Sequence, residues 1–342
     1  MNVQHLFNRP TFSPWRLSVA PMMDWTDRHC RYFHRLLTRH TLLYTEMVNA
    51  GAVLHGGTDR HLRFNEEEQA VALQLGGCEP GDLARAARLG EQWGYREINL
   101  NCGCPSERVQ RGAFGAGLMK EPGLVADCVK AMRDAVHVPV TVKHRVGIGR
   151  VESYAFVRDF VGRVADAGCE VFVVHARNAW LEGLSPKQNR EIPPLRYEVV
   201  QQLKMDFPSL TFVTNGGLTS DQAIAEQLDR VDGAMIGREA YHRPWWLSRW
   251  DALYFGAAPQ RVEREAIEEA MVTYMIREYQ HYGTPWPAIA RHMLGLQHGL
   301  RGARLWRQVW SNHRLKDLPP AAVMARARAA QAMAEPDAAL AV

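Results

Sequence analysis

The sequence predicts an α/β fold: a parallel (β/α)8 barrel of the TIM type followed by a small all-α helical-bundle domain. Three observations predict it. Eight short, β-prone apolar runs recur along the first part of the 342-residue chain; the intervals between them leave room for helices; and no strand-like run appears after Leu253. Alternating strands and helices call for parallel strands covered by the helices. Eight such units over roughly 250 residues match a closed barrel better than an open doubly wound sheet.

The runs lie at residues 17–20, 43–47, 70–75, 97–101, 139–143, 171–175, 210–214 and 233–236. Between them, segments 81–93, 123–136, 153–167, 195–205 and 220–228 mix apolar and polar faces at helical spacing. Gly256 to Pro259 reads as a linker, dividing the chain into a barrel domain, 1–255, and a helical domain, 256–342. In the second, Ile267, Met271, Tyr274, Met275 and Glu278 mark a helix over 261–281, and 287–298 and 301–312 read as two more, with breaks at Gly283-Thr284-Pro285 and Gly299. The Ala-rich stretch from Pro319 reads as helix that frays near Pro336.

Composition bounds the function classes. With 46% hydrophobic and 23% charged residues the chain can bury one large core and a small second one, which excludes disordered and fibrous classes. Residues 1–10 carry no apolar core between a basic start and a small-residue cleavage site, and no later stretch approaches membrane-spanning length, so a soluble cytoplasmic protein is expected. The cysteines at 30, 78, 102, 104, 128 and 169 are too few and scattered for a disulfide scaffold and read as reduced thiols. A net charge of +4 is modest, so its distribution matters more. Arg291, Arg301, Arg304, Arg307, Arg314 and Lys316 fall within 26 residues that contain no Asp or Glu. Arg304 and Arg307, three apart on a helix, share a face that suits adjacent phosphates; a solvated basic face is the alternative.

In TIM barrels the working residues sit where strands end. Glycines after strands seven (Asn215-Gly216-Gly217) and eight (Gly237, before Arg238) expose backbone N–H groups near helix N-termini, the usual phosphate site of this fold. A tight turn alone would explain Asn215-Gly216-Gly217, but the pairing of the two loops implies a phosphate-bearing ligand. Lys143 and His175, ending strands five and six, point into the same mouth. A cation there can stabilise a reduced isoalloxazine, and Gln74 offers a donor and an acceptor to the ring edge. Either basic residue alone also reads as a solvated rim residue or a satisfied barrel histidine; together they favour a flavin. Cys104, between Gly103 and Pro105, has an accessible thiol that can protonate a carbon whose neighbour receives hydride. Cys102 beside it leaves open a redox dithiol or two metal ligands, but C-x-C lacks supporting ligands at zinc spacing and no metal is expected. His29, Cys30 and His34 also lack a completing ligand and read as a solvated or packed helix face, and Cys78 and Cys169 read as packing residues.

These motifs in this order resemble the tRNA-dihydrouridine synthases, and within them the A-type bacterial branch. The resemblance covers most of the chain: A-P-M-M-D from Ala20, Y-T-E-M from Tyr44, L-Q-L-G-G from Leu73, N-L-N-C-G-C-P-S from Asn99, V-K-H-R from Val142, H-A-R from His175, N-G-G from Asn215 and I-G-R from Ile236. G-L-S-P-K-Q-N-R-E-I-P-P-L from Gly183 and H-M-L-G-L-Q-H-G-L from His292 carry the likeness to the A-type branch. The resemblance implies FMN, lined by the backbone of Pro21, Met22 and Met23 and held also by Gln74, Lys143, His175, Asn215, Gly216, Gly217, Gly237 and Arg238. It implies NADPH as reductant and a D-loop uridine of tRNA, at position 20 or beside it at 20a, as the group reduced to 5,6-dihydrouridine. It further implies tRNA contacts from Asn101, Lys187, Arg190 and the basic helical domain, with Arg304 and Arg307. The uridine must be unstacked and turned into the barrel mouth; hydride then reaches uracil carbon 6 and Cys104 protonates carbon 5. No obligate protein partner is evident. Two rival readings remain, an FMN barrel acting on a free small molecule and an RNA-binding barrel without chemistry. The basic appendage argues against the first; Cys104, Lys143 and the phosphate loops argue against the second.

Overall fold

In the computed structural model, which describes residues 12–106, 112, 114–150, 153–259 and 261–334, eight parallel strands close into a barrel in sequence order. They are β1 (Leu17–Val19), β2 (Leu42–Asn49), β3 (Val71–Gly76), β4 (Glu97–Cys102), β5 (Val140–Arg145), β6 (Val171–His175), β7 (Thr211–Asn215) and β8 (Gly233–Ile236). Closure is explicit in the register, with Leu17, Ser18 and Val19 paired to Ala234, Met235 and Ile236. Every strand lies within two residues of its expected run. The expectations for residues 1–10 and for fraying near residue 336 lie outside the described residues.

Helices follow the strands: α1 (Arg28–Leu37), α2 (Ala50–His55), α3 (Pro80–Gln92), α4 (Pro122–Ala135), α5 (Tyr154–Asp166), α6 (Tyr197–Asp206), α7 (Asp221–Leu228) and α8 (Trp250–Phe255). Strand side chains alternate between the barrel interior and the helical shell. Leu73, Leu75, Ile98, Leu100, Val142 and Phe172 face outward and join one buried cluster with Leu83, Ala87, Val125, Met132, Val157 and Phe160 of the helices. Ala20, Tyr44, Ala72, Val173, Val213 and Met235 form a smaller inner cluster. This two-sided burial explains why the strands read as near-continuous apolar runs.

The chain leaves α8 through Gly256 in the left-handed region (φ 64°) and enters α9 (Arg264–Tyr282), followed by a short helix at Trp286–Ala290, α10 (Ala303–Trp310) and α11 (Pro320–Ala332). Ile267, Met271, Tyr274, Trp306, Trp310 and Val323 pack into a cluster that continues into Leu17, Val19, Phe33 and Ile236 of the barrel, so the helical part shares a core with β1, β8 and α1. Within it, buried Glu268 accepts the indole N–H groups of Trp306 (2.7 Å) and Trp310 (2.8 Å) and the Nε of Arg328 (2.8 Å).

One expected helix is different. Over 287–298 the helical run stops at Ala290 and continues as tight turns, with i to i+3 bonds such as His292 N to Ile289 O and Leu296 N to Met293 O. The reason is a close approach: a Cβ on Gly295 would lie 2.5 Å from the carbonyl oxygen of His242. Only glycine lets this backbone lie against the segment after β8.

Candidate active site

The pleat decides which residues meet at the mouth. On β5 Lys143 points inward while its neighbour His144 points out, packing on Phe160 and Phe172. Lys143 Nζ donates to Asn215 Oδ1 (3.0 Å), and Asn215 Nδ2 donates to the Met235 carbonyl (2.8 Å). Gln74 bridges Asn99 and Asn101, donating from Nε2 to Asn99 Oδ1 (2.7 Å) and accepting from Asn101 Nδ2 at Oε1 (2.9 Å). Beyond these bonds Gln74 retains one amide N–H and one lone pair. Gly216 (φ 110°) and Gly217 (φ 67°) turn tightly over His175, and a Cβ on Gly216 would sit 2.7 Å from the His175 ring. The Tyr197 hydroxyl fastens this turn by donating to the Gly216 carbonyl (2.6 Å).

Positive charge is concentrated here. Burial, together with the Arg145 guanidinium, pulls the Lys143 ammonium from 10.5 down to about 7. Burial and the cations Arg145, Lys143, Arg177 and Arg190 hold His175 well below the ordinary histidine value, so it is neutral at pH 7. Arg145 is lowered by burial only to about 10 and stays charged. Arg238 pairs with Glu191 (2.5 Å) at the exposed rim. Arg177 gives Nη1 to the Glu191 and Pro193 carbonyls while its buried Nε has no partner among the described residues. Among the described residues beyond its chain neighbours, a Cβ on Gly237 would meet only the Ala20 Cβ at 4.0 Å, so there is open space beside this glycine. An excess of buried and rim cations, an unpaired guanidinium N–H and open space beside a glycine fit a ligand with a phosphate and an electron-rich ring, as FMN has.

Cys104 sits on a loop pinned from two sides. Asn101 Oδ1 accepts the backbone N–H groups of Gly103 (3.1 Å) and Cys104 (3.0 Å). Arg145 donates from Nε to the Gly103 carbonyl (2.9 Å) and from Nη1 to those of Asn178 and Asn189 (both 3.0 Å), tying the loop after β4 to the loop after β6. The half-buried thiol lies 3.5 Å from Ser106 Oγ, and negative charge on its sulfur would favour the charged forms of Lys143, Arg145 and Arg190. Cys102 is instead fully buried in the helical shell, where burial raises its thiol well above the ordinary range. The two cysteines thus differ in burial, Cys102 fully enclosed and Cys104 half-buried.

Several expected residues are placed differently from their expected roles. Asn101, expected to touch tRNA, is only 8% exposed and its carboxamide is committed to Gln74 and the Cys104 loop. Met22 spends its backbone N–H on Thr26 Oγ1 (2.9 Å) and its carbonyl on the N–H groups of Trp25 and Thr26, while Met23 is 54% exposed. Lys187 and Arg190 are exposed near the mouth, and Arg304 and Arg307 are exposed on α10. Arg307 also lines an open cleft of about 360 Å³ with Tyr241, His242, Arg291 and His292, at the seam between the two parts of the chain. Cys30 and His34 are buried on α1, the packed alternative expected for them. Sequence reasoning gave Arg145 no role; its signal was the two-residue spacing from Lys143, which puts both on the inner face.

Comparison with known proteins agrees with this geometry. The family model described as Dihydrouridine synthase (Dus) matches residues 18–332. The tRNA-dihydrouridine(20/20a) synthase of Pseudomonas aeruginosa is 56% identical over 304 residues, covering 89% of this chain and 91% of that protein. Those of Salmonella typhi (55% over 314 residues, 92% and 94%) and Escherichia coli K12 (56% over 299 residues, 87% and 86%) are similarly related. Among solved structures, a complex of 2-naphthoyl-CoA reductase with 2-naphthoyl-CoA superposes with a TM-score of 0.51 at 10% identity, over 68% of this chain and 49% of that one, a likeness of fold alone. With a family match running from β1 to α11 and more than half of the aligned residues identical to several relatives, the chain belongs to the dihydrouridine synthase family, a family of flavin-dependent oxidoreductases.

Proposed function

We propose that the protein reduces a D-loop uridine of tRNA, at position 20 or 20a, to 5,6-dihydrouridine, with FMN as cofactor, NADPH as reductant and the cytoplasm as its place of work. The observation that carries the reading is the Cys104 thiol on a pinned loop beside the buried cations Lys143 and Arg145. The names of the relatives support tRNA as the substrate.

The residues divide the work as follows. Gly216, Gly217, Gly237 and Arg238 hold the cofactor phosphate, while Gln74, Lys143, His175 and Asn215 hold the ring. Bound FMN supplies the hydride that arrives at uracil carbon 6. Cys104 gives its proton to carbon 5, and Lys143 and Arg145 stabilise the thiolate left behind until it is reprotonated. Asn101 keeps the Cys104 loop in place. Lys187, Arg190, Arg304 and Arg307 bind tRNA phosphates, and the uridine is unstacked to reach the mouth.

The test is reconstitution of the purified protein with FMN, NADPH and unmodified tRNA, with dihydrouridine mapped by position. Dihydrouridine at 20 or 20a is the expected product. NADPH oxidation coupled to free pyrimidines but not to tRNA would favour the small-molecule rival, and a colourless protein that takes up no FMN would remove the flavin from the reading.

A further inference from the structure

Glu97 enters the barrel interior at the start of β4 and is 2% exposed. Its carboxylate collects three donors: Trp15 Nε1 (2.7 Å) on one oxygen, the Tyr44 hydroxyl (2.7 Å) and the Thr141 hydroxyl (2.5 Å) on the other. Burial raises this carboxyl and the three donors pull it back. From Thr141 a single file of hydrogen bonds climbs to the mouth. Asn99 Nδ2 donates to Thr141 Oγ1 (2.7 Å), Gln74 Nε2 to Asn99 Oδ1 (2.7 Å), and Asn101 Nδ2 to Gln74 Oε1 (2.9 Å). Asn101 Oδ1 then receives the backbone N–H groups of Gly103 and Cys104.

Every bond in this file donates toward Glu97, and neither end can reverse. A backbone N–H only donates, and a carboxylate only accepts. Turning any one amide over would set N–H against N–H and oxygen against oxygen in a buried column, where such mispairing is costly and the bonds are mutually dependent. A buried carboxylate that only filled space would be better replaced by an apolar side chain, so its presence asks for a directional role.

We propose that Glu97 is a positioning residue for the reduction: as the acceptor-only end of the file it fixes which atoms of Gln74 and Asn101 face the mouth and the Cys104 loop, acting through Thr141 and Asn99. The proposal rests on Cys104 being the proton donor, as read above. Its consequence is that a lesion deep in the barrel loosens a loop at the mouth.

The experiment is the rate of Cys104 alkylation by iodoacetamide in the purified protein, resolved from the other cysteines by peptide mass spectrometry. Thr141→Val keeps the shape and removes the hydroxyl, and should speed alkylation at least about fivefold, the scale of coupling within one hydrogen-bond network. Thr141→Ser keeps the hydroxyl and loses only the methyl, and should stay within about twofold of wild type, whereas a packing effect would move the Ser variant and spare the shape-conserving Val variant. The double variant Thr141→Val with Asn101→Ala should be no faster than Asn101→Ala alone. If Thr141→Val does not fold, Glu97→Met, which removes the acceptor at the end of the file, should also speed alkylation. Equal rates for the Val and Ser variants, multiplicative effects in the double variant, or a wild-type rate in Glu97→Met would each overturn the proposal. Alkylation needs neither tRNA nor NADPH, so a failure here leaves dihydrouridine formation by the wild type untouched, and a failure of the proposed function appears as wild type without dihydrouridine.

Discussion

Under the proposed function, Lys143 would make FMN binding a proton-linked event. Its amine titrates near 10.5 when exposed and at about 7 in the folded protein, because it is buried and faces the Arg145 guanidinium. Between those values the unfolded chain holds a proton that the folded apoprotein does not, so apoprotein stability rises with pH across the window. The penalty is fully present below about 7 and gone above 10.5, and the whole span corresponds to roughly 5 kcal/mol. An anionic ligand beside Lys143 reverses the preference and keeps it charged. Binding then takes up a proton wherever the apoprotein has lost one, and apparent affinity falls by up to about tenfold per pH unit above 7. Of the neighbouring groups, His175 is already neutral, Arg145 holds its proton to about 10, and a phosphate ester with a second pKa of about 6 stays ionised. Titrating apoprotein with FMN by fluorescence quenching at about pH 7 and about pH 8.5 should give a loss of up to roughly 15-fold in wild type. Lys143→Met should bind more weakly at both and show no slope. Equal affinity of the wild type at both values, or the same slope in Lys143→Met, would refute the linkage.

Three further outcomes follow from the site. Cys104→Ala should keep FMN and tRNA binding yet lose about 10²- to 10⁴-fold in turnover, measured under single-turnover conditions, while Cys102→Ala, in the helical shell, should cost roughly 1 kcal/mol of stability and little rate. Equal rate losses would move the proton donor elsewhere. Gly216→Ala forces a side chain onto a φ of 110° and against the His175 ring, so thermal unfolding should show a loss of about 1–3 kcal/mol with weaker FMN retention; an unchanged melting curve would mean the turn can relax. The double variant Arg304→Ala with Arg307→Ala should weaken tRNA binding and flatten the dependence of log affinity on log salt by roughly 0.7–0.9 for each phosphate no longer neutralised, with NADPH oxidation in the absence of tRNA unchanged. Equal slopes in salt titrations of the two proteins would mean that this face is only solvated.

The sequence by itself determined the strands, the helices and the order of the motifs, because each depends on local patterns. Strands buried on both faces must read as apolar runs, a left-handed turn selects glycine at Gly216 and Gly217, and the residues that end parallel strands must gather at one rim. That was enough to bring Gln74, Lys143, His175, Asn215 and Cys104 to one mouth. Only the tertiary structure decided what depends on partners distant in the chain. Arg145 binds carbonyls 42, 33 and 44 residues away, and nothing near it in sequence signals three such acceptors. The turns after Ala290 follow from the approach of Gly295 to His242, 53 residues earlier, which overrides a helical pattern. Asn101, for which the resemblance implies a tRNA contact, has its carboxamide engaged by Gln74 of the neighbouring strand, and the column beneath it needs Trp15, Tyr44, Glu97 and Thr141 from separate parts of the chain. Periodicity is a property of neighbours along the backbone, whereas the direction of a buried hydrogen bond is set by whichever groups the closed barrel leaves facing each other away from water.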